Sequence, residues 1–228
     1  MSRSLVLFGV SNMLGEFLDC AALLGFQARL VVTNVEEDTR PRTKSLAQRL
    51  QELKNPPSVV PLSAFQPAVN DHFFLGTTSP ARQRLVDEVV RQFGLTFAAL
   101  VHPGANVSST ACVGEGSFVG AGSVVGSATK IGRFCVVNRG VTLGHDCVIE
   151  DYSRFMPGCN IGGHVRIGTA CTVGMGANVL PELEVGSRAF VAVGSAVTRD
   201  VPPDHFAGGS PARMRLMDNA GPPVDGGG

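Results

Sequence analysis

Between Val101 and Val197 an apolar residue returns at every sixth position: Val101, Val107, Val113, Val119, Val125, Ile131, Val137, Leu143, Ile149, Phe155, Ile161, Ile167, Val173, Val179, Val185, Val191 and Val197. Glycine follows nine of these seventeen anchors, and the fourth residue after an anchor is usually small, as at Ala111, Ser117, Ser123, Thr129 and Ala177. Helices repeat at about 3.6 residues and strands at 2, so neither alone gives a period of six. The pattern predicts a hexapeptide β-helix, each repeat a short strand and a corner, with stacked coils sharing one core. At three repeats per coil the anchors make about five and a half coils, a stack roughly 27 Å long.

Ahead of the repeats the period changes. Ser4–Gly9 is a short apolar run ending in glycine, and Leu14, Phe17, Leu18, Ala21, Ala22 and Leu24 then return at helical spacing. Residues 26–33 read as a second strand, and 43–54 as a polar helix that Pro56-Pro57 ends. His72–Gly76 reads as another buried strand and Pro80–Phe93 as an amphipathic helix. This alternation predicts a small α/β domain with a parallel sheet over residues 1–98 and the β-helix over 99–217. Open parallel sheets take ligands beyond their strand C-termini. The candidate substrate-binding residues are therefore Ser11, Asn12, Thr33, Asn34, Gly76 and Thr77. A full GxGxxG is absent, which argues against a redox dinucleotide. After Val197 the period stops, Pro202-Pro203 marks an exit, Ser210–Met217 is expected as a short helix, and the Gly/Pro-rich residues 218–228 as a disordered tail.

Composition narrows the function. The 228 residues carry no net charge, so neither nucleic acid nor an anionic membrane is an expected partner. No apolar stretch approaches a membrane span and no signal-peptide pattern opens the chain, so a soluble cytoplasmic protein is expected. Of six cysteines, Cys135, Cys147, Cys159 and Cys171 occupy the small interior position, and no CxxC pair exists. They read as packing residues, not as zinc ligands or disulfides.

One corner carries candidate chemistry. His145, two places after Leu143, faces outward, and Asp146 beside it supplies a carboxylate to orient the ring. Asn138 replaces glycine after Val137, and Gly163 stands one coil on from His145. A position without a side chain there lets a carbonyl approach a backbone N–H beside the imidazole, the layout of a general base with an oxyanion donor. A zinc hydratase would need three converging histidines, and only His145 and His164 share nearly the same phase, so no metal is expected. A non-catalytic scaffold is the other alternative.

The run Asn138–Ile149, the unbroken hexapeptides and the segment Ala207–Arg213 resemble the sialic-acid O-acetyltransferase and bacillosamine N-acetyltransferase family. These are left-handed β-helix acyltransferases with a small Rossmann-like N-terminal domain. The resemblance implies a homotrimer with acetyl-CoA between neighbouring β-helices. It implies His145 as base, Asp146 and Asn138 as its acidic and amide partners, and the N–H of Gly163 as oxyanion donor. Cofactor contacts would fall at Met175, Val193 and Gly194. Where the bacillosamine-type enzymes carry a second histidine near the thioester, this chain has Arg154, which can still donate a hydrogen bond there. The loops that read the nucleotide depart from the family, with Asn12-Met13, Thr33-Asn34 and Gly76-Thr77-Thr78 in their places. The expected reaction is acetyl transfer from acetyl-CoA to the amino group of a nucleotide-linked amino sugar, with O-acetylation of a sugar or other small acceptor as the alternative.

Overall fold

The computed structural model describes residues 3–33, 44–78 and 82–217, and the chain divides into two compact units, Met1–Pro103 and Gly104–Gly228. Asn34 and the tail 218–228 lie outside the described residues.

The first unit runs β1 (Arg3–Phe8), α1 (Leu14–Leu23), β2 (Phe26–Thr33), α2 (Leu46–Gln51), β3 (Ser58–Pro61), β4 (Asp71–Leu75) and α3 (Arg82–Phe93). Its sheet is all parallel, in the order β3-β2-β1-β4. Leu5, Val6, Leu7 and Phe8 of the inner strand β1 are all inaccessible, the mark of a parallel strand covered on both faces. In α1, Leu14, Phe17, Leu18 and Ala21 are buried, a stripe at helical spacing, and Gly25 at φ +79° turns the chain into β2. Phe8 packs edge-on against Phe65 and Phe97, at centroid separations of 5.0 and 5.9 Å, which fastens β1 to its neighbours.

The helix expected over 43–54 is shorter, because Ser45 and Gln48 start it with a reciprocal capping box: Gln48 N–H donates to Ser45 Oγ and Ser45 N–H to Gln48 Oε1. Strand β3 has no counterpart in the sequence reading. It is a four-residue edge strand with mostly exposed side chains between prolines, so neither an apolar run nor an alternation announces it.

In the second unit three parallel ladders close on one another with a register of eighteen residues, as in Val136↔Arg154 and Arg154↔Thr172. Anchors from Val125 through Val197 point inward and are buried. The corners after the anchors Val113 to Val191 share one feature that period alone conceals. There the third residue after the anchor adopts left-handed backbone, whether glycine, as at Gly140 and Gly158, or Asp146, Tyr152 and His164 at φ +57, +63 and +59°. The glycine directly after an anchor has another cause. A Cβ on Gly144 would lie 2.6 Å from the carbonyl carbon of Gly162 and 2.6 Å from the nitrogen of Gly163, because stacked corners bring backbone onto backbone.

The small interior position is a hydrogen-bonding device as well as a space-filler. Ser117 Oγ donates to Gly132 O at 2.8 Å and accepts from Cys135 N–H at 2.8 Å, tying two stacked corners of adjacent coils. Cys135, Cys147 and Cys171 do the same with thiols, donating to Glu150, Gly162 and Gly186 carbonyls at 3.2, 3.1 and 3.0 Å. Burial pushes the Cys159 thiol up to about 12 and that of Cys171 to about 11, so both thiols stay protonated.

Two expectations for the C-terminal segment are corrected. The stack does not end at Val197: Val201 bridges to Val185, and Phe206 and Ala207 pair with Phe190 and Val191, after a coil two residues shorter than the rest. The expected helix over 210–217 is a strand, Arg213–Leu216, antiparallel to His205–Gly208. Gly209, at φ +99°, reverses the chain, and the free edge of the last rung offers the returning segment backbone partners that a short helix would forgo. Among the described residues no helix is long and apolar enough to cross a membrane.

Candidate active site

The corner after Leu143 places His145 second and Asp146 third, and the corner one coil on places Gly163 and His164 in the same two columns. The interior bonds fix both corners. Thr129 Oγ1 donates to Gly144 O at 2.6 Å, and Cys147 Sγ to Gly162 O at 3.1 Å. In a trans peptide the C=O and the following N–H point opposite ways, so carbonyls tied inward turn the His145 and Gly163 N–H groups outward. At comparable corners a side chain from the next coil takes that N–H, Asp151 for Arg133 and Ser187 for Thr169. Above Gly163 the next coil carries Pro181, and among the described residues the Gly163 N–H has no acceptor.

His145 Nδ1 and Asp146 Oδ2 are 2.8 Å apart, with both side chains about half exposed. The carboxylate accepts the Nδ1 proton and thereby leaves Nε2 as the ring's acceptor. A Cβ on Gly163 would stand 2.8 Å from that Nε2, so the imidazole lies directly over the bare glycine. Any other residue at 163 would push the ring aside. The structure therefore brings together three of the four residues expected to act, His145, Asp146 and Gly163.

Asn138 lies on the preceding corner, where it is buried; its Oδ1 accepts from Arg139 N–H at 2.8 Å, and its carbonyl accepts from Ser123 Oγ. Met175 and Val193 stack in one column along that same corner, both exposed, and Gly194 N–H donates to Met175 O at 2.8 Å. Arg154 stands on the strand leading into it, with Nη2 3.1 Å from Thr172 Oγ1, and burial pulls its guanidinium down from the ordinary value. The expected cofactor residues and the histidine thus occupy different edges of the β-helix. His164 was singled out only by phase. Its ring meets His145 edge to face at 4.9 Å and 90°.

In the first unit the strand order reverses direction between β1 and β4, and the expected loops meet beyond that point. Ser11 Oγ donates to Gly76 O at 2.9 Å, and Gly9, at φ +76°, packs so tightly on Thr77 that its own Cβ would lie 2.8 Å from Thr77 Cγ2. Thr33 closes β2 with its hydroxyl 3.5 Å from Val60 O. Sequence reasoning missed Arg49, whose Nη2 donates to Asn12 Oδ1 at 2.6 Å and adds a cation to these loops. Its helical register alone carries no sign of that reach.

No family model matches the chain. Solved structures match it over nearly its full length. The acetyltransferase domain of PglB from Neisseria gonorrhoeae FA1090, in complex with acetyl coenzyme A, superposes with a TM-score of 0.77 at 25% identity, covering 93% of this chain and 99% of that one. A histidine-to-asparagine variant of perosamine N-acetyltransferase from Caulobacter crescentus, in complex with CoA and GDP-perosamine, gives 0.77 at 23% identity over 94% and 97%. WeeI from Acinetobacter baumannii AYE gives 0.68 at 22% identity over 92% and 99%. A Schizosaccharomyces pombe protein with a provisional acetyltransferase assignment is 43% identical over 47 residues, which span 20% of this chain and 23% of that protein. The Rossmann-like sheet followed by a left-handed parallel β-helix, the fold class expected from the sequence, is the fold shared with these acetyltransferase structures.

Proposed function

We propose that this protein is an acetyl-CoA-dependent acetyltransferase in which His145 is the general base. The observation that carries the reading is the column in which Nε2 of an Asp146-oriented imidazole lies over Gly163, beside a backbone N–H with no acceptor among the described residues. An acceptor amine gives its proton to His145 Nε2 as its nitrogen attacks the thioester carbonyl. The Gly163 N–H donates to the developing oxyanion, and a backbone dipole fixed in advance is effective there. The tetrahedral intermediate then collapses: the C–S bond breaks, the amide remains, and the proton on His145 passes to the departing thiolate. Acetyl-CoA as co-substrate is supported by the Neisseria domain, which is in complex with it.

The site is completed by a second copy of the chain. Asn138, Met175, Val193 and Gly194 follow one corner of the coil and His145 the next, so a groove lined by both sets forms where the corner of one coil faces the other corner of a neighbour. Threefold closure uses each pair of corners once and leaves no open end, which supports a homotrimer. Arg154, Met175, Val193 and Gly194 then line the path of the pantetheine arm.

The acceptor is an amino sugar carried on a nucleotide. The switch point of the N-terminal sheet is where such folds bind nucleotides, and Ser11, Asn12, Thr33, Gly76, Thr77 and Arg49 gather there; Asn34 stays a candidate from sequence. The Caulobacter structure of the same fold is in complex with GDP-perosamine. The test is CoA release from acetyl-CoA in the presence of GDP- and UDP-linked amino sugars, with the acetylated product identified by mass. His145→Ala should lower turnover by at least roughly a hundredfold with the oligomer intact. Full activity in that variant ends the assignment.

A further inference from the structure

We propose that His145, His164 and Asp146 form a binding site for a zinc-type divalent ion, and that its occupancy switches the acyl-transfer site off. The binding half stands on the geometry of the cluster; the switching half rests on the base role given to His145 above.

The three side chains each present one ligand atom, and these atoms lie within 4.8 Å of one another on exposed side chains. A tetrahedral zinc ion with bonds of about 2.0–2.2 Å separates its ligand atoms by about 3.3 Å. The Nδ1–Oδ2 pair is already 2.8 Å apart and the two rings stand 4.9 Å apart at 90°. Drawing the set in around an ion asks the side chains to close by up to about 1.5 Å. The backbone beneath them is well fixed: His164 N–H donates to His145 O at 2.9 Å, and the two corners are pinned from inside by Thr129 and Cys147. Two imidazoles and one carboxylate suit zinc and its neighbours in the first transition row, whereas calcium and magnesium ask for oxygen alone. Glu182, next after His164 in the same column, adds negative charge to the approach of a dication.

An imidazole bound to a metal has lost the lone pair that a general base uses. If Asp146 turns to the ion, the ring also loses the partner that orients it. His164 has no part in the proposed transfer chemistry, so substituting it separates the two functions of the corner.

The experiment titrates the full-length, EDTA-treated oligomer with zinc chloride against a chromophoric chelator, and measures CoA release in parallel. The parent should bind one zinc per chain and lose activity as it binds. His164→Gln should bind zinc at least roughly tenfold more weakly, the change expected when a metal loses a supporting group, and the zinc needed for half-inhibition should rise by the same factor while basal turnover is kept. Zinc affinity unchanged in His164→Gln overturns the site. If the protein transfers no acetyl group to any acceptor, the binding arm still decides the site, while the proposed activity and the switch built on it fall together. Zinc that binds through His164 but leaves turnover untouched overturns the switch.

Discussion

The two units of this chain are both built on parallel strands, yet they close them in opposite ways. In the first, the sheet stays open and its strands are buried by elements laid on top, so that Leu5 to Phe8 need only be apolar. In the second, the sheet closes on itself and the geometry of each corner is dictated by the coil above and below it. Burial by covering tolerates variety in side chains. Burial by stacking asks for a recurring residue type at each column: an apolar anchor, often a glycine after it, a third residue that takes left-handed backbone over most of the coils, and a compact residue pointing in, in several coils a donor. The difference teaches why only the second unit advertises itself along the chain.

Adding one methyl group in each unit is the strongest way to break this contrast. Gly144→Ala forces a Cβ onto the backbone of the next coil, where nothing can give, and should cost about 3 kcal/mol or more, seen as a large fall in denaturation midpoint or failure of the coil to form. Gly144→Ala with parental stability would mean that the corners are not stacked as described.

A smaller effect belongs to the N-terminal sheet. Asp71, whose side chain is inaccessible at the start of β4, would be raised by burial, but Arg29, the Ala68 N–H and the Ser4 hydroxyl together hold its carboxyl below the usual range. Its folded value is depressed, so the stability it contributes is present at neutral pH and lost as pH falls through that value. Asp71→Asn should destabilise the first unit by about 2 kcal/mol at pH 7, and the gap between parent and variant should close below about pH 4. A gap independent of pH would remove the carboxylate from the explanation.

The smallest effect has the opposite sign to the first. Gly15 lies in α1 with nothing within 4 Å of where its Cβ would be. Gly15→Ala should stabilise by about 0.4–1 kcal/mol, through helix propensity and a less free unfolded chain. Thermal unfolding compared with that of Gly144→Ala checks both signs in one experiment.

How much was legible follows from the same contrast. The period of six exposes the coil because every anchor obeys one rule, and it also places His145 over Gly163, since stacked positions are eighteen residues apart. It did not reveal that Cys147 and Thr129 pin the corners of the site, because a small residue reads as filler until its hydrogen bond is seen. Nor did it follow the coil past Val197, where a turn two residues short breaks the count but not the stack. In the first unit β1 was plain from its apolar run, whereas β3 is a solvent-facing edge with no pattern to read. Arg49 escaped for a different reason: what its guanidinium touches depends on how α2 is set against the loop after β1, and no local rule encodes that.

The reversed strand Arg213–Leu216 has a consequence for the stack it ends. A pile of identical rungs is by nature a template, and its last rung would invite another molecule to continue the series. Here the final rung is taken by the chain's own returning segment, running the wrong way for propagation and bearing Arg213 and Arg215. On this ladder the chain's own antiparallel strand, not another parallel rung, occupies the last edge among the described residues, and a further copy would have to pair with a reversed, basic strand.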